Sequence, residues 1–257
     1  MGEIRPKECE PRELTKDQLE MSLANVLMQG GRLEEARALH DEICTKMEAA
    51  VGPDHADTIS SQNNLATVLQ QLGQVQQARE LYDSVIARRA RRLGENHPDT
   101  LMAKMNLAIL HKDEGNPEVA KPLFEQACAG FRATFGPNHT VTLNCECELY
   151  ELHAELGELQ EAAAVVNTLA ALRGPGGPAA ANNLYEAYCA SAVGLLKYKQ
   201  ALAAEAGPAG GHGGELRREA EQLLRGALVT QRRLHGDAHP YSKKTERRLA
   251  DVVGPSG

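Results

Sequence analysis

The sequence predicts an all-α fold, a right-handed α-solenoid of helix pairs closed by a C-terminal capping helix. Three observations predict it. The 257 residues are 42% apolar but only 4% aromatic, with no Trp and three Phe; Ala, Leu, Gln, Glu and Arg dominate, which is the composition of a helix former. Apolar side chains recur at three- and four-residue steps. Whole blocks of sequence also recur every 42 residues, as they do in chains built from stacked copies of one hairpin.

The recurrence runs through several independent series. Gly31, Gly73, Gly115 and Gly157 keep the step, as do Leu23, Leu65, Leu107 and Leu149, and Ala36, Ala78, Ala120 and Ala162. Further series mark the junctions "VGPDHADT" (51–58), "LGENHPDT" (93–100) and "FGPNHTVT" (135–142): Gly52, Gly94 and Gly136, then His55, His97 and His139, then Thr58, Thr100 and Thr142. A fourth junction, "LHGDAHPY", stands at 234–241.

Each repeat reads as two antiparallel helices. In the second, helix A is expected over about 56–72, with Ile59, Leu65, Ala66, Leu69 and Leu72 on one face. Gly73 makes the turn, and helix B runs over about 75–93 with Ala78, Leu81, Tyr82, Val85 and Ile86 inward. The series glycines fall where a tight turn requires positive φ or close backbone approach. In the third repeat Asn116 stands at an N-cap with Pro117 at the first helical position, and Pro98 takes the same place after His97. The junction thus ends one helix B and launches the next helix A.

The expected organisation is a disordered segment over 1–14, a solenoid over 15–253 with repeats at about 15–51, 52–93, 94–135, 136–172 and 173–235, and a capping helix over 239–253. The fifth repeat is irregular. Ala220 matches Ala162 by pattern, yet the gap is 58 rather than 42 residues. The extra length has visible edges: the breaker "RGPGGP" (173–178) and the Gly-rich loop 207–214, with a long helix A variant between them. In the capping helix Tyr241, Thr245, Leu249 and Val252 alternate with Lys243, Lys244, Arg247 and Arg248, which reads as a solvating end.

The stretches "QNNLATVLQQLGQVQQARELYDSVIARRARRLGENHPDT" and "MNLAILHKDEGNPEVAKPLFEQACAGFRATFGPNHT" resemble the tetratricopeptide repeat, and their 42-residue period with an "LG-x-x-HP-D" junction resembles the kinesin light chain type. The resemblance covers about 18–172 well and about 215–250 more weakly. It implies a protein-interaction scaffold whose concave face, lined by A helices, takes a peptide or helical segment of a partner.

By the repeat spacing, the positions beside the buried Leu line that face. The candidates are Asn25 and Met28 in the first repeat, Asn63, Asn64, Thr67 and Gln71 in the second, Met102, Met105, Asn106, Ile109 and Lys112 in the third, and Glu148 in the fourth. An Asn amide donates and accepts at once and so suits a peptide backbone, while Met repacks around varied apolar groups. The resemblance implies a backbone clamp at Asn64 and Asn106. Ser22 and Glu148 at the equivalent positions leave such a clamp incomplete. Glu148, Glu151 and Glu155 make the fourth repeat acidic, Lys112 stands nearly alone as a cation, and a preference for neutral, apolar or basic segments is expected.

Composition excludes other classes. A net charge of −7 and a pI near 5.8 do not fit a protein that works on phosphate backbones. "ARRARRL" (87–93) reads as the wet outer face of a helix B. No stretch approaches the roughly 18 apolar residues of a membrane span, so membrane partners are not expected. Six cysteines in a chain of this length do not read as a disulfide framework. Cys44 and Cys128 fall in the helix B register of Ile86 and read as small core residues. A cytoplasmic setting follows as the expectation.

The spaced histidines read as junction packers or caps rather than metal ligands. The "CEC" stretch (145–147) places its cysteines on different helix faces. Nucleophile elbows, P-loops and zincin motifs are missing, so no enzyme activity, cofactor or metal is expected. Three alternatives stay open: homo-oligomeric assembly, a groove filled by the chain's own residues 180–206, and a repeat segment of a larger signalling or transport protein.

Overall fold

The computed structural model describes residues 16–137, 139–171, 183–206, 213–237 and 240–254. The segment 1–14, the breaker 173–178 and loop residues 207–212 lie outside the described residues. Among the described residues the fold is all-α. Its helices are α1 (Lys16–Gln29), α2 (Leu33–Val51), α3 (Ala56–Gln71), α4 (Val75–Leu93), α5 (Pro98–Asp113), α6 (Pro117–Phe135), α7 (Thr140–Glu155), α8 (Leu159–Ala171), α9 (Asn183–Ala206), α10 (Gly213–His235) and α11 (Pro240–Val253). The chain forms two compact lobes, Met1–Gly94 and Glu95–Gly257.

Consecutive helices pack as hairpins within each lobe. Gly31, Gly73, Gly115 and Gly157 turn them at φ of 77°, 75°, 78° and 76°. That left-handed conformation costs any residue with a Cβ about 1 kcal/mol or more, which explains why the glycine recurs. Ala36, Ala78, Ala120 and Ala162 are each 0% exposed. They lie fully inside the packing of helix B, where a larger side chain would have to displace its neighbours. Four residues on, His40, Tyr82 and Phe124 fill the core of the first three B helices, and Leu224, four after the buried Ala220, does so in α10. Leu65, Leu107 and Leu149 are buried in the same way, but Leu23 is 53% exposed. No described helix precedes α1 to cover it.

The junctions are held by short-range bonds that repeat. His55, His97 and His139 cap α3, α5 and α7: each Nδ1 accepts the backbone N–H two residues on, at 3.3, 3.2 and 3.3 Å. The Thr58 and Thr142 hydroxyls, and Ser242 in the same place, donate to the carbonyls of Gly52, Gly136 and Gly236 at 2.8, 2.9 and 2.9 Å. A second tie links positions 14 apart across the junction: Gln62 to Glu48, Arg132 to Glu146, and Arg232 to Glu246. At the remaining junction Ala90 stands where Glu48 and Arg132 stand, so Lys104 turns instead to Glu95 and Gln126.

Two expectations are corrected here. The arginines of 87–93 are not simply a wet face. Arg88 donates to the Pro53 carbonyl at 2.9 Å and to Gln62, Arg92 donates to the Asp54 carbonyl, and Arg89 is 9% exposed. They tie α4 to the preceding junction. And although Cys128 is a buried core residue, it forms a disulfide with Cys145 of α7, with Cα atoms 5.5 Å apart. The pairing joins helix B of one repeat to helix A of the next, so no single helical face reveals it.

Candidate functional site

In the C-terminal lobe α5 presents Met102, Met105, Asn106 and Ile109, all half-buried. The inner sides of Met102, Met105 and Ile109 rest on a core of Leu101, Ala108, Phe124, Phe131 and Leu149. This packing fixes the two thioethers and Ile109 from below while leaving their outer sides open. Beside the buried Leu107, the Asn106 amide makes no side-chain hydrogen bond among the described residues. The N-terminal lobe repeats the placement with Asn64 beside Leu65, and Gln71 is exposed at the end of α3.

Its neighbours are more occupied. The Thr67 hydroxyl meets the Asn63 carbonyl at 3.1 Å and the Tyr82 hydroxyl at 3.0 Å, and the Asn63 Oδ1 is buried without a partner. Burial pushes the Tyr82 phenol up to about 12, so it stays a neutral donor. Asn25 and Met28 are half-buried on α1.

Lys112 is not a lone groove cation. Its ammonium pairs with Glu148, lies 3.6 Å from Glu151, and stands 5.9 Å over the Phe124 ring. Burial alone would lower its pKa, but Glu148 and Glu151 hold it above its ordinary value. The acidity of the fourth repeat is likewise spent. Glu151, 8% exposed, accepts Arg248 Nη2 on Oε1 at 2.7 Å, while Lys244 takes Oε2. Burial works against the Glu151 carboxylate, yet Arg248, Lys244 and Lys112 outweigh it and hold its pKa at about 2.

The capping helix is therefore not the solvating end expected from its sequence. Lys243 and Arg247 are exposed, whereas the Arg248 side chain is 10% exposed and turned to α7. Ser191 of α9 completes the contact, meeting the Thr245 hydroxyl at 2.9 Å and Arg248 Nη1 at 3.0 Å. Helix α9 packs along α10 as an ordinary member of the stack. Between α7, α9, α10 and α11 a cavity of about 20 Å³ remains, lined by Glu148, Glu151, Gln231, Thr245 and Arg248. Beside it opens a hollow of about 560 Å³ with Glu155, Tyr198, Lys199 and Lys244 in its wall.

Residues 17–89 and 57–133 match a family model described as tetratricopeptide repeat, and residues 216–241 match a second of that description. Together they cover more than half of the chain. Among solved structures, nearly identical TPR-like repeats of a putative kinesin light chain from Podosopora anserina share 24% identity over 88% of this chain and 99% of that one, with a TM-score of 0.63. BtubC (BKLC) from P. vanneervenii shares 18% over 86% of this chain and 81% of its own, also at 0.63. A Rap protein complexed with competence and sporulation factor shares 15% over 93% of this chain and 64% of its own, at 0.58. At these identities the likeness is one of fold. No curated protein sequence matches the chain significantly.

Proposed function

Because the chain belongs to the tetratricopeptide repeat family, whose fold is a scaffold for protein–protein interaction, we propose that it captures a peptide or helical segment of a partner protein on its A helices and catalyses nothing itself. The observation that carries this is the pairing of an uncommitted amide with a supported apolar surface. Asn106 stands beside Met102, Met105 and Ile109 on α5, and Asn64 stands in the equivalent place on α3. A peptide backbone needs a donor and an acceptor together, which one Asn supplies. Its side chains need an apolar surface that adapts, which Met supplies.

Specificity on such a surface is loose in sequence and strict in charge. With Lys112 and Glu148 tied to each other, neither offers a free charge to a ligand beside Met105 and Ile109, so neutral, apolar segments are favoured there. A displayed peptide library screened with the full chain tests it, against an Asn64→Ala/Asn106→Ala variant and a Met105→Glu variant that melt like the parent. The expected hits are apolar segments that both variants lose. Apolar hits retained by both variants, or a library with no apolar binder, would refute the proposal.

A further inference from the structure

Helix α11 meets the rest of the C-terminal lobe in an unusual way. Of its described apolar side chains only Val252 is deeply buried, at 2% exposure, where it joins Ala220 and Leu224 with Leu249 alongside. Val253 is 45% exposed. One fully buried Val stabilises by about 1.5–3 kcal/mol, which is a small apolar anchor for a helix of 14 residues. The remaining grip is polar: Lys244 and Arg248 on Glu151, Thr245 on Ser191, Ser242 on the Gly236 carbonyl, and Tyr198 on the Asp251 carbonyl.

Lys244 and Arg248 stand one helical turn apart, so they share a face. On α7 they meet a notch shaped for cations, with Glu148 and Glu151 14% and 8% exposed and Lys112 on the other side. The fit is incomplete. Gln231 is 1% exposed, and its Oε1 has no hydrogen-bond partner. It lines the 20 Å³ cavity left between the notch and α11. An orphaned buried acceptor costs about 1–3 kcal/mol, so an occupant that brought a donor to that point would bind better than α11 does.

We propose that the notch formed by Glu148 and Glu151 on α7 is a receptor for a basic helix with Lys or Arg on consecutive turns, and that α11 is its resident, displaceable occupant. The proposal rests on the reading that partner segments lie on the A helices. It adds a second site with the opposite preference from the apolar surface of α5. Displacement exchanges like for like: one pair of cations leaves Glu151 as another arrives, and the buried carboxylate is not left bare. That exchange is what makes a buried charge cluster usable as a binding site rather than a fixed strut.

The probe is a synthetic peptide of residues 240–253, PYSKKTERRLADVV, with a control peptide in which Lys244→Glu and Arg248→Glu reverse the charges. Binding is read by fluorescence anisotropy at about 50 mM salt, where surface charge is weakly screened, on the full wild-type chain and on a full-length Lys244→Ala/Arg248→Ala variant. The variant should bind the basic peptide at least about tenfold more tightly than wild type does, and neither chain should bind the control. Equal binding to the two chains, equal binding of the two peptides, or no binding to a natively folded variant would overturn the proposal.

Should the variant fail to fold, hydrogen exchange on the wild-type chain decides. Residues 240–253 should lose protection between about 0.05 and 0.5 M salt while residues 213–235 keep theirs, and protection of 240–253 unchanged by salt would overturn the proposal. The library screen depends on Asn64, Asn106 and Met105 and on none of these residues, so the two readings fail separately.

Discussion

Glu151 of α7 and Arg248 of α11 form a buried ion pair, Oε1 to Nη2 at 2.7 Å, in which each side chain is no more than 10% exposed. Lys244 completes the carboxylate. Removing one member of such a pair leaves the others charged and desolvated, which is more damaging than never having built it. Glu151→Ala should therefore lower the unfolding free energy by about 3 kcal/mol, measured by chemical denaturation.

The same carboxylate sets an acid limit. Its folded pKa of about 2 lies below that of the unfolded chain. The stabilisation is thus fully present above the ordinary carboxylate range near pH 4, and it is lost as pH falls towards 2. Wild-type melting temperature should decline through that window, and a Glu151→Gln chain should start lower and decline less. Parallel profiles for the two chains would show that Glu151 does not carry the dependence.

His40 supplies a second pH dependence at milder values. It occupies the core position held by Tyr82 and Phe124 in the next two repeats, it is 0% exposed, and both ring nitrogens lack partners. Burial lowers its pKa against a small opposing pull from Asp41. The unfolded chain therefore binds a proton, as pH falls below about 6.5, that the folded chain resists, and stability drops. His40→Phe should gain about 1–3 kcal/mol and flatten the stability profile between roughly pH 5 and 7, as read by thermal melts across that range.

Two glycines inside helices predict opposite outcomes. A Cβ on Gly130 of α6 would lie 2.2 Å from Leu101 Cδ1, so Leu101, 0% exposed within the core cluster, would have to shift against its neighbours. A Cβ on Gly226 of α10 would meet nothing within 4 Å. Gly226→Ala should stabilise by up to about 1 kcal/mol through helix propensity, whereas Gly130→Ala should cost about 1–3 kcal/mol through overpacking. Denaturant midpoints of the two variants should move in opposite directions.

The Cys128–Cys145 disulfide closes a loop with a sequence separation of 17 residues. Loop-closure entropy assigns about 3 kcal/mol to a bridge of that span. Reductant should lower the melting temperature of wild type and leave a Cys128→Ala/Cys145→Ala chain unmoved. Identical melts with and without reductant would remove the bridge from the stability of the fold.

What was legible in the sequence was whatever the 42-residue step repeats. The step places Gly73 and Gly115 at positive φ, Ala78 and Ala120 in the buried core, and His55, His97 and His139 at N-caps, because each of those jobs is done within one hairpin or across one junction. The expected helices over 56–72 and 75–93 match Ala56–Gln71 and Val75–Leu93 to within a residue.

What the step could not show lies in contacts it does not repeat. Lys244 and Arg248 reach Glu151 from a helix two hairpins further along, past α9. The irregular fifth repeat breaks the phase that would have aligned α11 with the earlier A helices. Lys112 looked solitary because its partners Glu148 and Glu151 belong to the next repeat. The arginines of 87–93 looked solvated because the carbonyls of Pro53 and Asp54 that hold Arg88 and Arg92 belong to a turn rather than to a helix face.

The hydroxyl ties at the junctions span six residues, Thr58 to Gly52 and Thr142 to Gly136. A growing chain can close each of them as soon as a few more residues have been made, so hairpins can settle one after another during synthesis. The Glu151 carboxylate is the exception. It must wait, surrounded by half-built neighbours, until Lys244 and Arg248 have been made about a hundred residues later, which makes the seating of α11 a late act of folding in its lobe.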